Sequence, residues 1–167
     1  NQFVKKRSEM DRYVVTGFNE EYWNYWGESW IISLKELAKF DENILVVDFG
    51  LTSATKRKLV EMGAYILAGK PGNMRAETLR SIVDFSKKYP GIFAIWDADV
   101  YFQKSINEVF DLAKNQIVIT NNSGFIAGNN QDLIWLREFQ EVVSFIHGDV
   151  FVFDYLNFFP HKYLKID

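Results

Sequence analysis

The sequence predicts an α/β layer fold with a largely parallel central sheet. Three observations carry that expectation. Candidate strands and helices alternate along the chain, which is the pattern of parallel sheets covered by helices. The strand candidates are near-continuous apolar runs, as expected of strands covered on both faces. One of them, Ile92-Phe93-Ala94-Ile95-Trp96, runs straight into Asp97-Ala98-Asp99. No repeat, low-complexity tract or Pro/Gly/Ser-rich linker divides the 167 residues, so a single domain over 1–167 is expected.

The elements follow in order. Tyr13 to Gly17 is β-branched and apolar and reads as a first strand ending at a glycine. The aromatic stretch Tyr22-Trp23-Asn24-Tyr25-Trp26 reads as part of a loop, followed by a helix from Trp30 to Phe40 with Ile31, Leu34, Leu37 and Ala38 at helical spacing. Ile44 to Phe49 is the second strand, interrupted by Asp48. Thr52 or Ser53 caps a helix that runs through Leu59 to Met62 and stops at Gly63. Ala64 to Leu67 is a short strand. After the loop Gly69 to Asn73, a helix from Arg75 to Lys88 ends at Pro90-Gly91. The Ile92–Trp96 strand comes next, then a short helix from Ile106 to Ala113, a strand from Gln116 to Thr120 and a helix from Asp132 to Phe145.

Composition narrows the function classes. Net charge is -3, which argues against a nucleic-acid binder with its basic face. The run Lys5-Lys6-Arg7 reads as a solvated surface, with peripheral contact to an anionic membrane as the minority reading. There is no cysteine, so no disulfide or thiolate metal site exists; with no signal-peptide pattern at the start, a cytoplasmic location is expected. No apolar run approaches the ~20 residues of a membrane helix. The aromatic share, 17%, is high, and the rings of Phe151, Phe153, Tyr155, Phe158 and Phe159 suggest a homo-oligomer interface.

In parallel sheets ligands bind beyond the carboxyl ends of the strands. Gly17 to Trp26, Asp48 to Thr52 and Asp97 to Tyr101 all follow strands and are expected to gather on one edge. Ionised carboxylates at the end of a buried strand need compensation. Asp97 and Asp99 either fan around one hard cation, Mg²⁺ or Mn²⁺, or cap local N–H groups. A cation there suits a diphosphate. Lys70, Arg75 and Arg80 precede the same strand and are the candidate phosphate-binding cations, in the rising order Lys70, Arg75, Arg80. No phosphate-loop, dinucleotide-binding, hydrolase-elbow or zinc-protease motif is present.

With these residues in view, the chain resembles the GT-A glycosyltransferases, in particular the glycogenin and bacterial galactosyltransferase-like branch. Ile95-Trp96-Asp97-Ala98-Asp99-Val100 resembles that branch's metal-binding strand end. Thr16 to Tyr22 resembles its nucleotide-base loop, Asn121-Asn122-Ser123-Gly124-Phe125 its turn beside the donor sugar, and Asp154-Tyr155-Leu156-Asn157 the end of a segment near the reaction centre. The resemblance implies a GT-A, Rossmann-like domain that takes a nucleotide-sugar donor, UDP-linked by expectation, and a carbohydrate or other hydroxyl acceptor. It implies Asp97 and Asp99 as metal ligands, with Asp97 also at the ribose. Tyr22 would lie against the base, Asp48 near the base or ribose, Arg80 on the donor and Asn122 at the donor sugar. Asp149 or Asp154 would be the acceptor base, a choice the residues leave open. The family's late metal-binding histidine has no clean match; of His147 and His161, His161 is the candidate third ligand.

Val152 and Phe153 stand where the family has Asp and Gln beside the reacting carbon. That departure supports a second reading: a degenerate domain of the same fold that binds a nucleotide-sugar or a protein partner without turnover. A receiver-like domain with an acidic Mg²⁺ pair is disfavoured, because no Lys follows a late strand.

Overall fold

In the computed structural model the described residues are 10–120, 124–148, 151 and 163–166. They form a seven-stranded sheet of order β3-β2-β1-β4-β6-β5-β7. The strands are β1 (Arg12–Phe18), β2 (Asn43–Asp48), β3 (Ala64–Ala68), β4 (Ile92–Trp96), β5 (Ile117–Thr120), β6 (Phe125–Asn129) and β7 (Tyr163–Ile166). β1 pairs in parallel with both β2 and β4, β2 with β3, and β5 with β7. The largely parallel sheet expected from the sequence is therefore present.

β6 is an addition to that expectation. It runs antiparallel to both neighbours, with Trp96 opposite Phe125 and Val118 opposite Ala127. Only five residues long and holding a glycine, it gives a weak local signal; its place is fixed by pairing across the sheet.

Helices cover both faces. Alternation along β1 sends Val14 and Phe18 to one side and Tyr13 and Val15 to the other. The first side packs on α2 (Glu28–Glu36), α3 (Ser53–Glu61) and α5 (Asn107–Leu112) through Trp30, Leu34, Leu59 and Phe110. The second packs on α4 (Met74–Ser86) and α6 (Asn130–His147) through Leu79, Ile82, Leu133 and Leu136. No helix among the described residues is long and apolar enough to cross a membrane.

Two local expectations are corrected. The aromatic stretch after β1 is helical, not a loop. Asn19 caps a short helix, α1 (Glu20–Tyr22), by accepting from Tyr22 N, and Glu20 and Glu21 favour its first turn. The chain continues as a π-helical segment, Trp23–Gly27, into α2. Gly27 permits this: a Cβ there would lie 1.9 Å from the buried Trp23 ring. The helix expected to reach Phe40 ends at Glu36, leaving Leu37 exposed, and Lys39 turns the chain with φ 57°. Elsewhere the caps fall as read. Thr52 accepts from Thr55 N to start α3, and Gly63, at φ 91°, follows its end.

Candidate functional site

The strand order reverses direction between β1 and β4, since β2 and β3 lie on one side of β1 and β4 on the other. A crevice at the carboxyl end of such a switch point is where ligands bind in open α/β sheets. A pocket of about 210 Å³ opens there. Thr16 and Gly17 of β1, Ile95 to Asp99 at the end of β4, Met74, Arg75 and Thr78 of α4, Tyr22, and Gly124 to Ile126 line it, with Phe151. Gly17 is needed at the rim, because a Cβ would stand 2.5 Å from the Phe49 ring and 3.0 Å from Thr78 Oγ1.

The main chain at Asp97 is held tightly. Its N–H donates to Gly124 O at 2.9 Å, while its carbonyl accepts from Trp30 Nε1 at 3.1 Å and from Val100 N at 3.4 Å. The side chain then faces the pocket with Arg75 Nη2 at 2.8 Å from Oδ2. Burial pushes the Asp97 carboxyl above the usual carboxylate range; the neighbouring Arg75 pulls it down and the charge of Asp99 pushes it up again, and the net shift is upward. Asp99 is exposed and has no hydrogen-bond or ion-pair partner among the described residues. Among the described residues neither carboxylate accepts from a main-chain N–H, as the local-cap reading of this pair would have it.

The donor set fits a hard divalent cation. Two carboxylates project at one pocket mouth, one is held in an unfavourable charged state, and the cation now beside it is a guanidinium from another element. Among the described residues no group of three or more His, Cys, Asp or Glu could complete a metal site, so further ligands must come from outside them or from a bound ligand and water. Among the described residues, two buried polar atoms of residues near the pocket have no hydrogen-bond partner, Thr16 Oγ1 and Trp96 Nε1. Thr16 is 1% exposed, and such orphaned groups mark places where water or a ligand belongs.

The remaining candidates divide. Tyr22 lines the pocket with 40% of its surface exposed and stacks on Trp26 at 5.4 Å. Asp48 lies outside the lining. Burial raises its pKa, but N–H donors from Leu51 (2.7 Å) and Gly50 (2.9 Å) and the nearby Lys56 outweigh that, and the carboxyl ends up below its ordinary value. Arg80 is not in the lining: its guanidinium binds Glu77 and Glu141, tying α4 to α6, and among the described residues the Lys or Arg that lines the pocket is Arg75, more than a turn earlier. Lys70 does not line the pocket. Phe151, expected at an oligomer interface, is 7% exposed and forms part of the pocket wall. Asn122, Asp149, Asp154 and His161 lie outside the described residues, as do Val152, Phe153, Tyr155, Phe158 and Phe159.

One residue escaped the sequence reading. Glu20 reaches from α1 to the start of α3, accepting from Thr52 N at 2.9 Å and Thr55 Oγ1 at 2.6 Å. The Thr55 hydroxyl and the Thr52 N–H hold its carboxyl below the usual value. It clamps the segment carrying Tyr22 to the start of α3. Its signal was present as an acidic residue in a capped first turn, but its partner lies more than thirty residues away.

No protein-family model matches the chain, and no curated protein matches it by sequence. Solved structures do match in fold. An active-site mutant of LgtC superposes with a TM-score of 0.65 at 16% identity, covering 93% of this chain and 72% of that one. The apo glycosyltransferase GlyE of Streptococcus pneumoniae gives 0.62 at 15% identity, covering 95% and 46%. Glucosyl-3-phosphoglycerate synthase of Mycobacterium tuberculosis, solved with Mn²⁺, UDP and glucosyl-3-phosphoglycerate, gives 0.51 at 16% identity, covering 75% and 58%. A cytidylyltransferase of Leptospira borgpetersenii shares the architecture too, at 12% identity with a TM-score of 0.58. The chain spans less than half of GlyE's length. At these identities the likeness establishes the fold, which is that of the GT-A nucleotide-diphospho-sugar transferases.

Proposed function

We propose that this chain is a metal-dependent glycosyltransferase domain that binds a nucleoside-diphosphate sugar, UDP-linked in the first instance, in the β1/β4 crevice. The observation that carries the reading is the acidic pair Asp97 and Asp99, presented by a fixed main chain at the switch point and opening on the pocket. The solved glucosyl-3-phosphoglycerate synthase of this fold holds Mn²⁺ and UDP, which supports the choice of ligand.

Asp97 and Asp99 would hold Mn²⁺ or Mg²⁺. Such a cation, when bound, offsets the negative charge that grows on a departing diphosphate. Tyr22 offers a ring face to the base, at a gain of about 1–3 kcal/mol for stacking. Arg75 takes the diphosphate-facing place first expected of Arg80. α4 begins at the pocket, so its N-terminal dipole also favours an anion there. In transfer, the bond from the sugar's anomeric carbon to the diphosphate oxygen breaks and a bond to the acceptor oxygen forms. The acceptor proton passes to a carboxylate, Asp149 or Asp154. Asn122 at the donor sugar and His161 as a further ligand complete the proposal.

The Val152-Phe153 pair favours a second reading, binding without turnover. One panel separates the two: UDP-sugars incubated with the chain and Mn²⁺, scored for UDP release with and without simple sugar acceptors. UDP release that disappears in Asp99→Asn supports transfer. Mn²⁺-dependent UDP binding with no release from any donor assigns the binding domain, and failure to bind any nucleoside diphosphate sinks both transfer and nucleotide-sugar binding.

A further inference from the structure

We propose that Arg75 is a built-in counter-cation that makes divalent-cation binding at Asp97 and Asp99 conditional on a diphosphate. This rests on the metal–nucleotide reading above and adds an order and a coupling to it.

The geometry is a bridge between two anchored points. Arg75 sits in the first turn of α4, where the Asn73 side chain accepts from Arg75 N at 3.1 Å and Ala76 N at 3.2 Å and fixes the helix start. From there its Nη2 crosses to Asp97 Oδ2 at 2.8 Å. At the other end the main chain of Asp97 is pinned through its N–H and its carbonyl, which fixes where its carboxylate starts beside the guanidinium. Among the described residues, Arg75 is the only Lys or Arg that lines the pocket. Arg80, on the same helix, is bound to Glu77 and Glu141.

Charge then decides the sequence of events. Among the described residues that line the pocket, Asp97 and Asp99 carry two negative charges and Arg75 one positive. A divalent cation entering alone must displace Arg75 from Asp97 or sit against it, and two like charges a few ångströms apart repel. A diphosphate reverses the sign of Arg75's contribution. Its oxygens accept from the guanidinium, for which the planar fork is well shaped, so the arginine leaves Asp97 for a better partner and frees a carboxylate oxygen. The same residue weakens cation binding in the empty pocket and strengthens it in the diphosphate-loaded one. By linkage the cation raises the affinity for diphosphate by the same factor.

The test is Mn²⁺ binding to the full chain, read from the free Mn²⁺ signal in electron paramagnetic resonance with and without UDP, corrected for Mn²⁺ held by UDP alone. Wild type, Arg75→Gln and Arg75→Lys are compared. Without UDP, Arg75→Gln is expected to bind Mn²⁺ about tenfold tighter than wild type, and the enhancement of Mn²⁺ affinity by UDP is expected to shrink about tenfold. Arg75→Lys, which keeps the charge, should retain most of the coupling. A merely structural arginine could not yield tighter binding on removal. If Mn²⁺ and UDP both bind but Arg75→Gln binds Mn²⁺ alone no tighter, the counter-cation role is wrong and the metal–nucleotide site stands. If neither ligand binds wild type or variant, the site assignment fails and takes this inference with it.

Discussion

The two halves of the sheet's carboxyl edge use carboxylates in opposite ways. On the β1/β2 side, Glu20 and Asp48 are filled by the protein's own donors, and both are held below their ordinary pKa. On the β4 side, Asp97 is pushed upward and Asp99 is exposed beside it. A carboxylate whose charge is answered by backbone N–H groups and hydroxyls is part of the scaffold. One whose charge is left short is ready for a ligand. The pattern separates the clamp that places Tyr22 from the pair that would hold a cation, although all four acids follow strands in similar sequence settings.

The sharpest way to break this contrast is to neutralise one acid from each side. Asp99→Asn should lower Mn²⁺ affinity in the presence of UDP by at least about 100-fold, since even outer partners of a metal site cost 10–100-fold. Asp48→Asn should leave that affinity near wild type, because its carboxylate faces its own loop. Comparable losses in the two variants would erase the distinction.

A smaller effect is expected at the aromatic wall. Tyr22→Ala should weaken UDP binding about 5- to 150-fold if the ring stacks on the base. Tyr25→Ala, which removes a more exposed ring outside the pocket lining, should not. Fluorescence titration of both variants checks this.

The clamp is tested through stability. Glu20→Gln should cost about 1–2 kcal/mol at pH 7, measured by urea unfolding, through weakened bonds to Thr52 and Thr55. The folded pKa of Glu20 lies below the unfolded value, so its contribution is complete above the unfolded pKa of about 4.3 and fades as pH falls through the folded one. Wild type and Glu20→Gln should therefore converge in acid. Asp97 has the opposite sign. Its folded pKa is raised, so its charge opposes folding at neutral pH and the opposition is relieved as pH falls through the folded value. Asp97→Asn should raise the melting temperature of the ligand-free chain by about a degree or two, the lost half-exposed ion pair with Arg75 being worth little. A lower melting temperature would place Asp97 with the scaffold acids.

How legible this was depended on how local the cause was. The apolar run ending in Asp97-Ala98-Asp99 carried its meaning within eight residues, and the structure puts it at the switch-point crevice. The caps at Thr52 and Gly63 were local too. The reversal at β6 was not, because antiparallel pairing with β4 and β5 is set by sheet partners remote in sequence. The helical aromatic segment carries a local signal, since Asn19 followed by two glutamates is a helix start. Arg80 was chosen over Arg75 by its place in the family pattern. Its i,i+3 partner Glu77, readable from the spacing alone, pairs with it on the same helix. Thr16 and Thr78 gave no sequence signal, since only the fold brings them into the pocket lining.

The central claim is that Asp97 and Asp99 form a cation-dependent nucleoside-diphosphate site. Calorimetric titration of UDP into wild type and Asp99→Asn, each with Mn²⁺ and with chelator, tests it most directly. Heat of binding is predicted for wild type with Mn²⁺ alone among the four conditions. UDP binding that is equal with Mn²⁺ and with chelator, or equal in Asp99→Asn, would contradict the claim.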